Sequence, residues 1–180
     1  MKYFPLIFLL FQVSLTTLAQ GINQVIFDEG ASQKILYGEC NTSGFQISSF
    51  KKLYNPEFKY YIPYAAIADS LKPKLESVEI KIVMGTWCSD SQREVPRFFK
   101  ILEHINFPPE KVQIICVNSS KTAAEYRVNV GDIEFVPTFF IMLEGVEIGR
   151  IVETPTNSLE KVCLYILYGE YKRRLGADEV

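Results

Sequence analysis

A tryptophan–cysteine pair, Trp87 and Cys88, directly follows the apolar stretch from Val78 to Gly85. A cysteine at the point where a strand gives way to a helix meets unpaired backbone N–H groups and the positive end of the helix dipole. Both favour the thiolate, which is the nucleophilic form of the side chain. Three residues after Cys88, where a second cysteine would complete a redox dithiol, the chain has Ser91. The pattern therefore predicts a nucleophilic cysteine without a local resolving thiol.

The elements that must position Cys88 are predicted from hydrophobic periodicity. Residues 78–84 alternate as a strand, and residues 89–105 have the apolar spacing of a helix. The remaining predicted elements are a strand over 112–117, a short helix over 123–128, the strand F-F-I-M-L, a turn at 144–145, a returning strand over 146–152 and a long helix from Leu159. This order predicts an α/β sandwich with a central mixed sheet.

Three local signatures, in register with these elements, resemble the thioredoxin family over residues 78–176. Trp87-Cys88 lies between a strand and a helix, and Pro96 falls inside that helix eight residues past the cysteine. The segment V-P-T-F-F-I-M-L-E-G-V-E-I-G-R-I-V is similar to the thioredoxin segment that begins at a cis-proline, here Pro137, and continues as the terminal hairpin. More narrowly, G-T-W-C-S-D-S-Q-R-E-V-P-R-F resembles exported bacterial thioredoxin-like proteins with C-x-D-S in place of C-x-x-C.

The resemblance implies a thioredoxin-like three-layer sandwich and a site built around Cys88. Pro137 would lie against the cysteine in the cis form, and the backbone of Val136 would pair with an extended substrate beside Trp87. The buried carboxylate that many thioredoxins carry six residues before the first cysteine is Ile82 here. Because that carboxylate assists the resolving thiol, both parts of the second exchange step are absent.

Charged and polar neighbours of Cys88 are expected to tune its thiol. Ser91, one helical turn on, can donate a hydrogen bond to the sulfur. Asp90 opposes the thiolate because a nearby carboxylate disfavours a second negative charge. Arg93 and Lys81 are candidates to offset that charge.

The other three cysteines are expected to play lesser roles. Cys116 and Cys163 lie in apolar segments and are predicted to be packed in the core. Cys40, in G-E-C-N-T-S-G, is expected to be exposed, and it is the best candidate for a distal resolving thiol; a structural disulfide or a free thiol are the alternatives. With His104 as the single histidine and wide cysteine spacings, no metal site is predicted, and no cofactor is expected.

The beginning of the chain differs in composition from the rest. Lys2, an apolar stretch from Phe4 to Leu18 and T-L-A at 17–19 predict a cleaved signal peptide over 1–19. The stretch is shorter than the ~20 residues that a membrane-spanning helix needs, so no transmembrane anchor is expected after cleavage. A buried N-terminal helix is the alternative.

Residues 20–77 have a weak pattern and are interpreted as an N-terminal extension packed on the thioredoxin-like domain of 78–176. Short strands at 25–27 and 35–37 and a helix over 65–72 are predicted. The tyrosine-rich segment between them is expected to be broken by Pro56 and Pro63.

A net charge of −2 and a pI near 5.6 argue against a nucleic-acid partner. The sequence favours an exported, periplasmic or secreted monothiol thiol–disulfide oxidoreductase of the reductase or isomerase type, acting through a Cys88 mixed disulfide. Its expected partners are protein or low-molecular-weight disulfides and an external thiol reductant. A non-catalytic thioredoxin-fold module that binds extended protein clients is the alternative. A peroxide-reacting cysteine is a third, which would also need a resolving thiol.

Overall fold

The computed structural model describes residues 21–123 and 133–174. The predicted signal peptide and all but the first residue of the predicted helix over 123–128 lie outside these ranges. The elements in chain order are β1 (Gln24–Asp28), β2 (Gln33–Cys40), α1 (Ser48–Tyr60), α2 (Ala65–Leu71), β3 (Val78–Met84), α3 (Ser89–His104), β4 (Val112–Cys116), β5 (Thr138–Leu143), β6 (Val146–Val152) and α4 (Leu159–Arg174). None of the helices in these ranges has the length and apolar character needed to cross a bilayer.

Six strands of the described chain form one mixed sheet in the order β1-β2-β4-β3-β5-β6. Only the β3–β4 pair is parallel among the pairings in these ranges; the others are antiparallel. α3 follows β3 and leads to the parallel strand β4, while β5 and β6 form the hairpin before α4. This is a thioredoxin-like α/β arrangement, so the fold class predicted from the sequence is confirmed.

Side chains alternate between the two faces of the sheet, and the two faces are buried by different parts of the chain. On one face, Ile80, Ile82 and Met84 of β3 share a cluster with side chains from all four described helices. On the other face, Val83 of β3 packs with residues that flank the undescribed segment, namely Ala123, Ile133 and Val136. The second face is also where the side chains of Trp87 and Cys88 pack.

The N-terminal extension contributes two strands to the central sheet. β2 pairs with β4 through residues 38–40, and β1 continues the sheet outward from β2. The predicted strand pieces at 25–27 and 35–37 are therefore present, and each is longer than expected. They place the extension beside the carboxyl end of β3, where the loop carrying Cys88 begins.

The prediction of a break at Pro56 was wrong, since α1 runs through it. A proline inside a helix removes one backbone hydrogen bond and costs ~3 kcal/mol or more. An aromatic stripe on the same helix offsets that cost: Phe50, Tyr54 and Phe58 recur at four-residue spacing, and Phe50 and Tyr54 both pack on Phe45. The helix does end before Pro63, as expected.

Candidate thiol site

Cys88 is the N-cap residue of α3, with extended backbone angles of φ −87° and ψ 128°. Its carbonyl oxygen accepts the Gln92 N–H at 3.0 Å, which starts the helix. The thiol donates to the carbonyl oxygen of Val136 at 3.1 Å. The Val136–Pro137 peptide bond is cis, as the resemblance predicted. Two distant parts of the chain thus meet at the sulfur, which is half-buried.

Trp87 folds back over the end of β3. Its Nε1 donates to the carbonyl oxygen of Val117 at 3.0 Å, and its ring lies across Gly85. A Cβ at position 85 would sit 2.5 Å from Trp87 Cε2, so a glycine is required for this approach. Tyr37 of β2 packs in the same cluster as Trp87 and Cys88. The extension therefore contributes a side chain to the same cluster.

Ser91 is fully buried, and its hydroxyl oxygen accepts the Gly85 N–H at 3.2 Å. The side chain thus fastens the first turn of α3 to the loop that precedes Cys88. The hydrogen bond described for the Cys88 sulfur is made with Val136 rather than with Ser91. A direct role of Ser91 toward the sulfur stays a prediction.

Asp90 forms an ion pair with Arg93, one turn along α3. One guanidinium nitrogen of Arg93 lies 2.5 Å from Asp90 Oδ1, and Nε lies 2.7 Å from Glu94 Oε1. The hydrogen bonds to Glu94 and then to Asp90 raise the pKa of Arg93, although partial burial opposes them. The Nζ of Lys81, the other predicted partner, lies 5.8 Å from the centre of the Phe140 ring.

Thr86 joins the extension to the site loop. Its hydroxyl accepts the buried Leu36 N–H at 3.1 Å, and its carbonyl oxygen accepts Gln92 Nε2 at 2.8 Å. β4 pairs with β2 only as far as Cys116 in the described sheet, so the Leu36 N–H lies beyond that pairing. The threonine hydroxyl supplies the missing acceptor. Nothing in the sequence pattern marked Thr86, because its partner is 50 residues away.

The expectation that Cys40 is exposed was wrong, because it is 5% exposed and lies at the end of β2. It is opposite Ile114 in the strand register, while Cys116 is opposite Gly38. The two cysteines therefore project from neighbouring strands onto the same face of the sheet. Burial, followed by a hydrogen bond with Cys40, raises the pKa of Cys116.

Cys40 and Cys88 belong to different clusters, since Cys40 packs with the helices and Cys88 packs on the opposite side of the sheet. The resolving role predicted for Cys40 has not been tested. Cys116 and Cys163 are buried, as predicted. Burial, and secondarily the Glu160 carboxylate, raise the pKa of Cys163 to about 12. All four cysteines are free thiols.

Within residues 21–123 and 133–174, no three histidine, cysteine or acidic side chains come together as metal ligands would. The site residues that the sequence patterns missed are Thr86 and Thr154, whose hydroxyl contacts the Arg93 guanidinium. Each acts through a long-range contact, and neither local periodicity nor a short motif reports such contacts.

Comparison with family models and with curated protein sequences finds no match. Among solved structures, a Pseudomonas aeruginosa protein of unknown function is similar at 15% identity, over 74% of this chain and 84% of its own, with a TM-score of 0.49. Thioredoxin f2 of Chlamydomonas reinhardtii is similar at 18% identity, over 57% of this chain and 92% of its own, with a TM-score of 0.37. A thioredoxin from Aeropyrum pernix is similar at 20% identity, over 66% of this chain and 89% of its own, with a TM-score of 0.33.

Proposed function

We propose that this protein is an exported monothiol thiol–disulfide oxidoreductase that acts through Cys88. One observation carries the proposal: Cys88 is a half-buried thiol at the start of a helix, with its sulfur beside the backbone of Val136, whereas Cys40, Cys116 and Cys163 are buried in the core. A half-buried sulfur can be reached by a partner, and the positive end of a helix dipole favours the thiolate.

The proposed reaction has three exchanges. The Cys88 thiolate attacks one sulfur of a protein or low-molecular-weight disulfide, forming a mixed disulfide while the other sulfur leaves as a thiolate. An external thiolate then attacks the Cys88 sulfur, which releases the second partner thiolate and leaves Cys88 joined to the external thiol. A second external thiolate attacks that disulfide, restores the Cys88 thiolate and leaves as the disulfide of the external thiol. Ser91 cannot perform this second attack, because an alcohol has no accessible oxidised form in disulfide exchange. The external thiol therefore supplies the reducing equivalents.

Turnover is tested with a fluorescent peptide disulfide and excess glutathione, comparing wild type with Cys88→Ala. Wild type should reduce the peptide faster than the variant, and equal rates would overturn the proposal. Ser91→Cys gives a sharper contrast, because a second thiol at position 91 can attack the mixed disulfide internally. That variant should release the captured peptide in the absence of glutathione, whereas wild type should hold it.

A second candidate function, the non-catalytic client-binding module, is favoured by the apolar surface beside the site. Phe135 directly precedes Val136 and is 41% exposed, and Val152, opposite Thr138, is 40% exposed. Together with Trp87 they offer contacts to an extended chain lying along the Val136 edge. Peptide binding that is equally strong in wild type and Cys88→Ala, without turnover in either, would select this candidate.

Export is proposed from the residues 1–19 and is tested separately. N-terminal sequencing of the protein recovered from the extracytoplasmic fraction should begin near Gln20. Recovery of the intact chain from the cytoplasm would overturn export and leave the thiol chemistry to be judged on its own.

A further inference from the structure

The loop after β6 is tied to both halves of the thiol site. Thr154, the second residue past β6, contacts the Arg93 guanidinium through its hydroxyl and lies 3.2 Å from Asp90 Oδ1. Its neighbour Glu153 donates its backbone N–H to the carbonyl oxygen of Pro137 at 2.7 Å. The same two-residue segment therefore contacts the first turn of α3 and the backbone next to Val136.

The guanidinium of Arg93 is held on three sides. It contacts Asp90, the 97% buried Glu94 and Thr154, so its plane is fixed by acceptors on α3 and in the loop. A planar fork can hold several acceptors in fixed directions, which an ammonium group cannot reproduce. Asp90, whose expected effect on the thiolate stays a prediction, is an anchor for this arrangement.

Glu153 adopts a left-handed conformation with φ 51°, which is uncommon for a residue with a side chain. The Glu153 N–H extends the pairing of β5 with β6 by one position, and the left-handed turn at Glu153 then leads to Thr154, whose hydroxyl contacts Arg93 on α3. The contacts thus run from Asp90 and Arg93 through Thr154 and Glu153 to the backbone that contacts the Cys88 sulfur.

We propose that Asp90, Arg93 and Thr154 form a positioning clamp that fixes the Val136 edge relative to Cys88. This inference rests on the proposed function: the clamp sets the rate at which Cys88 attacks a disulfide in an extended peptide. A peptide must align its sulfur with Cys88 while its backbone lies along Val136, so displacement of that edge slows the attack. A small reagent that needs no alignment is insensitive to the clamp.

The test uses Thr154→Val, which removes the hydroxyl and keeps the shape of the side chain. Thr154→Ser retains the hydroxyl, and Thr156→Val is the matched control, since Thr156 is exposed in the same loop. Two rates are measured at Cys88 by mass spectrometry: mixed-disulfide formation with a cyclic peptide disulfide, and alkylation by iodoacetamide. Thr154→Val should slow the peptide reaction about tenfold and leave alkylation within about twofold of wild type. Thr154→Ser and Thr156→Val should match wild type in both.

Arg93→Lys is a second variant, because it keeps a positive charge beside Asp90 and removes the fork. It should behave as Thr154→Val does. Equal peptide rates in Thr154→Val and Thr156→Val would overturn the clamp, and so would an equal slowing of both reagents. The latter would show a change in the thiol itself.

Hydrogen exchange of the Glu153 amide tests the clamp without any redox reaction. Protection of this amide should fall about tenfold in Thr154→Val and stay unchanged in Thr156→Val, as expected for a hydrogen bond opened by a local fluctuation. If Thr154→Val loses protection but the wild-type protein shows no turnover with glutathione, the clamp is retained and the oxidoreductase function is rejected. If protection is unchanged in Thr154→Val and the wild-type protein turns over, the clamp is rejected and the oxidoreductase function is retained.

Discussion

The sulfur of Cys88 and the carbonyl oxygen of Val136 lie 3.1 Å apart, although 48 residues separate them in the chain. The thiol donates to an oxygen that has no charge. A thiolate could not donate this hydrogen bond, so ionisation of Cys88 would leave the Val136 carbonyl without this donor. The protonation state of Cys88 and the hydrogen bonding of Val136 are thus linked.

Cys88 is expected to react before the other three cysteines in the native protein. It is half-buried at a helix N-terminus, whereas Cys40, Cys116 and Cys163 are buried in the core and become reachable only when the structure opens. Mass-spectrometric mapping after brief iodoacetamide treatment should find Cys88 modified at least about tenfold faster. In denaturant, all four should react at similar rates. Comparable native labelling of Cys40 would contradict the assignment.

Thr86→Val is expected to lower the free energy of unfolding by about 1–3 kcal/mol, because it leaves the buried Leu36 N–H without an acceptor. Thr86→Ser keeps the hydroxyl, so its free energy of unfolding should fall less than that of Thr86→Val. Urea denaturation of the two variants gives the comparison. An unchanged midpoint for Thr86→Val would show that the contact between β2 and the site loop contributes nothing to stability.

Tyr61→Phe is expected to destabilise the protein by about 1.5–3 kcal/mol, because it removes a donor to a carboxylate. The Tyr61 hydroxyl lies 3.0 Å from one oxygen of Glu160, which is fully buried and also accepts the Tyr64 N–H. Tyr60→Phe is the control, since Tyr60 is 71% exposed. Its midpoint in urea should match that of wild type. Equal losses in the two variants would reject a specific role for the hydroxyl.

Asp28→Asn is expected to have a lower free energy of unfolding than wild type at neutral pH. The difference in free energy between the two proteins should become smaller in acid. Burial by itself would raise the pKa of Asp28, but hydrogen bonds from Ser119, Ala31 and Gly30 hold it below the ordinary 3.8. A carboxyl group with a lowered pKa stabilises the fold above the pKa of the unfolded chain, and this contribution disappears as the pH falls through the folded value. Urea denaturation of wild type and Asp28→Asn, at neutral pH and below pH 3.8, measures this contribution. A difference that is constant with pH would contradict this role.

The sequence predicted best what depends on local spacing. β3 and β6 begin and end at the predicted residues, and the predicted α3 extends one residue too far, because alternation and helical periodicity are visible within a single segment. Pro56 misled for a physical reason: its cost inside α1 is offset by packing with Phe45, which lies outside the helix and is invisible to a local pattern.

Within the site, Cys88 and the cis form of Pro137 followed from motifs, whereas their supporting contacts did not. Thr154 meets Arg93 across 61 residues, and Leu36 meets Thr86 across 50. Cys40 was misplaced because its turn-rich surroundings begin only after it, while the residue itself closes β2. Such errors arise wherever tertiary pairing decides the environment of a residue.

The pairing of β2 with β4 has a consequence for how the chain can be divided. Removing residues 20–77 would take β2 away from β4 and leave the backbone groups on that side of an apolar strand facing water. Exposed strands of that kind recruit other chains by edge-to-edge pairing. The shortest form of this protein that stays in solution is therefore expected to begin at β1 rather than at Val78, because β1 and β2 cover an edge of the sheet that would otherwise pair with other chains.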